Sequence, residues 1–286
     1  ANGLLLDANL LQVESHNDYD SGNKANADSV LSAYGVRAKY SPVSFWDVTL
    51  QVGHSEDKNE NFKDSTFDTR YDTRRDSASW QNDFALSENQ LLTVGYDWQQ
   101  DSISSSVDYP EDSRYNHGLF AQYLLHAGRH EWQLGLRHDD NEAYDEHTTG
   151  SVGYGYALTD SISLTSSYGT AFSAPTFNQL YFPGYGNPAI QAETSRNIEV
   201  GLRGQHRWGS WSANAFRNDI DDMIASVRVG GVSMAENVDK ARITGLELEV
   251  LTQQLGWNWQ ANLTLQDPEN RSSSANDDLL LRRVPE

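Results

Sequence analysis

Apolar and polar residues take turns along most of the chain, and the period is two rather than 3.6. The pattern is clearest around 162–204. Ile162, Leu164, Ser166 and Tyr168 fall on one face of a first arm, with Ser163, Thr165, Ser167 and Gly169 on the other. A loop rich in Pro, Gly and aromatics follows. Then Ile198, Val200 and Leu202 alternate with Glu199, Gly201 and Arg203. The spacing predicts two long antiparallel strands joined by a large, specifically built excursion.

The same alternation recurs in Tyr34, Val36, Ala38 and Tyr40 against Arg37 and Lys39, and in Val48, Leu50 and Val52. It returns in Leu92, Val94, Tyr96 and Trp98, in Trp132, Leu134 and Leu136, in Leu246, Leu248 and Val250, and in Trp259, Ala261, Leu263 and Leu265. About thirteen strands are expected, with another beginning at LLLRR, all compatible with hairpin connection. Short turns are expected near residues 43, 88, 128, 160, 209 and 255. Long polar loops are expected near 22, 63, 110, 143, 182, 230 and 273. Tyr40, Phe45, Trp46, Trp132, Trp208, Trp211, Trp257 and Trp259 cluster beside the short turns, where an interfacial aromatic girdle belongs.

This arrangement is that of an all-β, antiparallel up-and-down transmembrane β-barrel, with tight turns at one rim and sprawling loops at the other. Charge position agrees. Arg37, Lys39, Asp97, Arg137, Glu199, Arg203, Glu247 and Glu249 sit mid-strand opposite apolar residues. An Arg or Lys on a lipid face costs about 2–4 kcal/mol at the midplane, so these residues must point into a wet or protein-filled lumen. Unpaired strand edges are costly inside a bilayer, so more strands are expected on one or both sides.

Composition narrows the function classes. Only 37% of the 286 residues are hydrophobic, and no apolar run approaches the roughly 20 residues of a transmembrane helix. A barrel strand needs only about 9–11 residues with every second one apolar. The formal net charge of −20 argues against nucleic acid as a partner and points to solubilised loops, divalent cations or cationic partners. Cysteine is absent, which removes disulfide frameworks and thiolate metal sites. The start, ANGLLLDANLLQVE, lacks the features of a signal peptide, so either an export signal has been removed or the chain is an internal piece.

AFSAPTFNQLY, followed by GNP and by Glu193, Ser195, Glu199 and Gly201, resembles the late-barrel signature of TonB-dependent outer-membrane receptors. FRNDIDDMI, NVDKARITGLELEV and LLRRVPE continue it. Within that family the register is most similar to the corrinoid branch, through YGTAFSAPTFNQLYFPGYGNP, RNDIDDMI, LLLRR and the NDYD loop that leads to a strand ending RAKY. Ser173 stands where a basic residue is common before Ala-Pro, and Ala192 where Pro is usual.

The resemblance implies residues 1–286 as the central part of a plugged barrel of about 22 strands, with the N-terminal plug and terminal strands outside this stretch. It implies an outer-membrane receptor of a Gram-negative bacterium, a monomer in outer-membrane lipid, that takes up cobalamin or, as the alternative, a ferric siderophore. TonB would couple energy through the plug. It also implies calcium at the NDYD loop, with Asp20 and Asp28 as ligands and Tyr19 facing substrate; the other reading of that loop is an acidic solvated segment. Those two carboxylates alone fall short of the coordination calcium takes. The run also fails as an EF-hand, because Gly22 and Ser29 stand at the wrong places.

Tyr181, Phe182 and Tyr185 in the large loop could stack on a flat ligand or pack the loop against its neighbours. His126 and His130 flank a tight turn and read as exposed turn residues. The loop from His138 to His147 could bind a divalent ion, with a solvated loop as its default. GYGYA reads as barrel-wall glycines rather than a nucleotide loop, since no helix follows. An outer-membrane enzyme would need a nucleophile, base and orienting acid on adjacent rims, and no Ser and His pairing suggests itself. A passive porin-like barrel is the remaining alternative.

Overall fold

The computed structural model of the chain describes residues 3–20 and 24–271. Its strands are β1 (Leu5–Asp20), β2 (Lys24–Val43), β3 (Trp46–Lys63), β4 (Thr66–Ser87), β5 (Gln90–Ser105), β6 (Ser113–Ala127) and β7 (His130–Asn141). They continue as β8 (Asp145–Ala157), β9 (Ile162–Ser173), β10 (Glu193–His206), β11 (Gly209–Val229), β12 (Val232–Gln254) and β13 (Trp257–Asn270). One five-residue helix, α1 (Phe177–Tyr181), lies between β9 and β10. No described helix is long and apolar enough to cross a membrane. The strands form one 13-stranded antiparallel sheet whose spatial order is the chain order. β1 and β13 are the edges of the described sheet, which does not close.

The register carries each face from strand to strand. Val36 lies opposite Val52, Val52 opposite Ala78, and Ala78 opposite Trp98. One residue on, Arg37, Gln51, Ser79, Asp97, Gly118 and Asp139 form a row of the other face. Nothing in the described sheet covers the apolar face: Leu50 is 52% exposed, Leu119 and Leu136 60%, and Val200 51%. A two-layer sandwich would bury these side chains against each other, and a soluble monomer rarely leaves so much contiguous apolar surface bare.

The polar face is internally bonded. Arg37 donates to Asp7 at 3.1 Å and Lys39 lies 2.8 Å from Asp47. Arg137 donates to Asp97 at 2.7 Å and to Asp139 at 2.8 Å. Phe120 lies over Gly95 and Phe216 over Gly245, where an added Cβ would strike the rings. A large ring over a bare backbone repairs the packing that glycine gives up.

The tight turns fall near the expected places, at 44–45, 88–89, 128–129, 158–161, 207–208 and 255–256. The other rim differs from expectation. Residues expected as long loops near 63, 143 and 230 instead continue the ladders and reverse in a few residues. Lys58 pairs with Asp72, and the chain turns at Asp64 and Ser65, both at positive φ. Gly230 and Gly231, with φ of 59° and 91°, close the β11–β12 hairpin. Much of the polar stretch from His16 to Asp28 is likewise strand, with His16 opposite Asp28. Above the apolar band both faces are wet, so alternation vanishes while backbone pairing persists. Charged pairs across the strands, such as Arg74 with Glu56 at 2.8 Å, read as loop composition in the sequence. The expected strand at LLLRR and the loop near 273 lie outside the described residues.

Candidate functional site

The excursion between β9 and β10 folds back over the polar face at the rim away from the tight turns. Thr176 caps α1: its hydroxyl accepts from the Gln179 backbone N–H at 3.2 Å, and the Gln179 side chain accepts from the Thr176 N–H at 2.8 Å. This capping box starts a helix too short to be stable alone. Packing does the rest. Leu180, only 1% exposed, joins Ile190, Ile224 and Ala235 in the one hydrophobic cluster of the described chain.

Hydrogen bonds fasten the same loop to the β11–β12 hairpin. The Ala235 N–H donates to the Tyr185 carbonyl at 2.9 Å, and the Asn187 amide donates to the Ala235 carbonyl at 3.1 Å. Asn237 exchanges a pair of bonds with the Gln191 backbone, and Glu193 accepts from the Ile224 N–H at 2.6 Å. Gly186 is required by close approach, since a Cβ there would lie 2.6 Å from the backbone nitrogens of Tyr181 and Phe182.

Arg114 on β6 holds the opposite side. It donates to the Pro175 carbonyl at 2.6 Å, and its guanidinium lies 4.7 Å from the centre of the Phe177 ring and 5.5 Å from that of Tyr144. Asp101 lies 3.7 Å away and also takes two hydrogen bonds from Arg75, at 2.7 and 3.1 Å. Tyr109 donates to Asn178 at 2.5 Å and meets Phe182 edge-on. Burial pushes the Tyr144 hydroxyl above its ordinary 10.0, with the Arg114 charge pulling back, and burial likewise raises Tyr109 and Tyr181. At neutral pH all three are phenols rather than phenolates.

A cavity of about 400 Å³ lies beneath α1. Leu31, Tyr71, Ile103 and Phe177 give it apolar walls, and its lining carries three acidic residues, Asp57 among them, and three arginines, Arg75 among them. Apolar walls with a few fixed polar groups suit an edge of a large, partly polar ligand.

The expected ligand-facing aromatics separate into two places. Tyr181 and Tyr185 pack on the Leu180 cluster, and Phe182 packs on Tyr109, so all three help to build the loop. Tyr19, 43% exposed, stands on β1 with its hydroxyl 3.4 Å from Asn61. Asp28 faces the opposite side of the sheet, where the His16 ring lies 2.5 Å from its carboxylate. That hydrogen bond raises the His16 pKa. Asp20 ends β1 opposite Lys24, and its side chain lies outside the described residues. His16 joins Asp18 and Asp28, and no group of three or more His, Asp or Glu able to hold a metal occurs among the described residues.

Arg114, Tyr109, Tyr144 and Phe177 were not visible as site residues in the sequence. Arg114 and Pro175 are separated by 61 positions, and no local pattern announces their contact.

A bonded polar face and an uncovered apolar face suit lipid on one side and water or protein on the other, which defines the class as the wall of a membrane-spanning β-barrel. The chain belongs to the TonB dependent receptor-like β-barrel family, whose profile matches residues 2–286. It is 33% identical over 244 residues to the vitamin B12 transporter BtuB of Photobacterium profundum, covering 82% of this chain and 40% of that one. It is 32% identical over 218 residues to BtuB of Vibrio vulnificus, covering 74% of this chain and 35% of that one. The chain therefore spans less than half the length of these curated relatives. Among solved structures, the FrpB iron transporter of Neisseria meningitidis superposes with a TM-score of 0.79 at 14% identity, over 96% of this chain and 51% of that one. The ferric enterobactin receptor PfeA of Pseudomonas aeruginosa superposes with a TM-score of 0.76 at 20% identity, over 92% and 48%. Those two likenesses speak to the fold alone.

Proposed function

We propose that this chain forms part of the barrel of an outer-membrane receptor for a corrinoid, and that the folded rim around α1 gathers the ligand before TonB-driven release inward. The observation that carries the choice of ligand class is the 33% identity to a vitamin B12 transporter across most of the chain. The rim geometry agrees with it. A corrinoid is broad, flat and fringed with amides, and the cavity under α1 offers apolar walls beside the carboxylate of Asp57 and the amide of Asn178. Calcium at the β1–β2 hairpin, with Asp20 and Asp28 among its ligands, is a separate part of the proposal that rests on the family resemblance, and calcium titration of the full-length receptor tests it. The test is equilibrium binding of labelled cyanocobalamin and of ferric enterobactin to the full-length receptor in detergent. Tight binding of the first with none of the second is expected. The reverse would replace the corrinoid with a siderophore and leave the receptor class standing.

A further inference from the structure

The charges that line the cavity under α1 are unevenly partnered. The register stacks its floor in rows. Leu31 lies opposite Asp57, Asp57 opposite Thr73, and Thr73 opposite Ile103, and all four line the cavity. The next row towards the tight turns runs through Ser55, Arg75, Asp101 and Arg114. There Asp101 accepts from Arg75 at 2.7 and 3.1 Å and lies 3.7 Å from Arg114, so two guanidiniums share one carboxylate. At the flank Glu56 accepts from Arg74 at 2.8 Å and lies 2.8 Å from Lys58. Asp57 is the exception. Among the described residues this exposed side chain has no hydrogen-bond or ion-pair partner.

The neighbours within reach of Asp57 are engaged elsewhere. Arg75 is its diagonal neighbour across the β3–β4 pair, a separation of about 7–8 Å that a long side chain spans. Its Nε and Nη2 nevertheless go to Asp101. Lys58 turns to Glu56, and Asn59 donates to Ser29 at 2.7 Å. The cavity floor therefore has two poles. Arg75, 53% exposed, keeps N–H donors beyond those it gives to Asp101. One row away Asp57 presents acceptors only. An anionic group suits the first pole and is repelled by the second, and an ammonium meets the reverse. A neutral primary amide suits both, with its oxygen towards Arg75 and its nitrogen towards Asp57.

We propose, resting on the corrinoid reading above, that Asp57 and Arg75 together select a peripheral amide of the ligand, so that the site takes amidated corrinoids and rejects those carrying a carboxylate at the same position. Asp57 supplies the discrimination, because an unpaired carboxylate attracts an N–H and repels an incoming anion.

The test is equilibrium binding, to the full-length receptor in detergent at neutral pH, of cyanocobalamin and of its monocarboxylic acids, in each of which one peripheral propionamide is hydrolysed. Wild type should bind at least one acid about tenfold more weakly than cyanocobalamin, or weaker still, as a lost hydrogen bond to a charged group would give. Asp57→Asn, whose amide donates as well as accepts, should raise the affinity for that acid and bring the ratio to about one. Asp57→Ala should do the same and serves if the first variant does not fold. Glu60→Gln, on the same strand and outside the cavity, should leave the wild-type ratio in place. Equal affinity of wild type for cyanocobalamin and every acid would overturn the proposal, as would a ratio that survives removal of the Asp57 charge. In both cases the corrinoid reading stands. Failure of wild type to bind cyanocobalamin would overturn that reading and this selection with it.

Discussion

Arg114 reaches from β6 to the carbonyl of Pro175 with two aromatic rings against its guanidinium and Asp101 alongside. Its side chain is 12% exposed, so the hydrogen bond and the ring contacts are only weakly diluted by water. Arg114→Ala should loosen the loop by about 3 kcal/mol, on the order of a hundredfold faster amide exchange over residues 176–190, while the β6 ladder stays protected. Arg114→Lys should recover only part of this, because an ammonium cannot lie flat between rings. Tyr144 adds a pH dependence with a definite sign. Its raised pKa means that loop docking is complete below the ordinary value of 10.0 and is lost as pH rises through the raised one. Exchange of residues 176–190 followed from neutral to strongly alkaline pH should show that loss, and Tyr144→Phe should reduce it, leaving the part carried by Tyr109 and Tyr181. None of this was legible in the sequence, where Arg114 is one more charge in a polar strand. By contrast, the assignment of Arg37, Asp97 and Arg137 to the polar face needed only the alternation, and the register bears it out.

At the scale of elements, two kinds of segment met the same water and behaved differently. β3, β4, β11 and β12 run far beyond the apolar band as paired strands, although their composition there reads as loop. The excursion from 174 to 192 leaves the sheet, because Pro175 and Pro183 remove donors and Gly184 takes a φ of +75°. The sequence therefore told where the one built loop lies but not where the hairpins end. Gly186→Ala should disorder the loop and abolish ligand retention, since the Cβ meets backbone rather than a yielding side chain. Thr176→Ala should cost about 1 kcal/mol and weaken retention only a fewfold. Dissociation rates of labelled ligand from the two full-length variants would separate these outcomes. On the wet strands, Arg74→Gln should change stability by less than about 1 kcal/mol, because its pair with Glu56 is half exposed on the arginine side.

Across the whole molecule, one face must be in lipid and the other must not. Leu248→Arg on the apolar face should lower folded stability in lipid by about 2–4 kcal/mol, while Glu247→Gln next to it should be nearly neutral. Heat-modifiable gel mobility of the refolded full-length receptor would report both. The same asymmetry makes the wall the part of the fold most legible in the sequence, since period-two alternation is a direct record of which medium each side chain meets. The rim is written in contacts between distant residues, which leave no period.

Every described strand pairs its backbone only with its neighbours in the chain, and the tight turns join them two by two. Such wiring needs no long-range search: a newly made hairpin can lean on the one before it, so the sheet can assemble like an unfolding screen, panel after panel, in the order of synthesis. The last panel added always presents a raw edge, and delay at that point leaves it open to any other extended chain nearby. Speed of addition, more than the strength of any single panel, then decides whether the screen is finished before something else sticks to it.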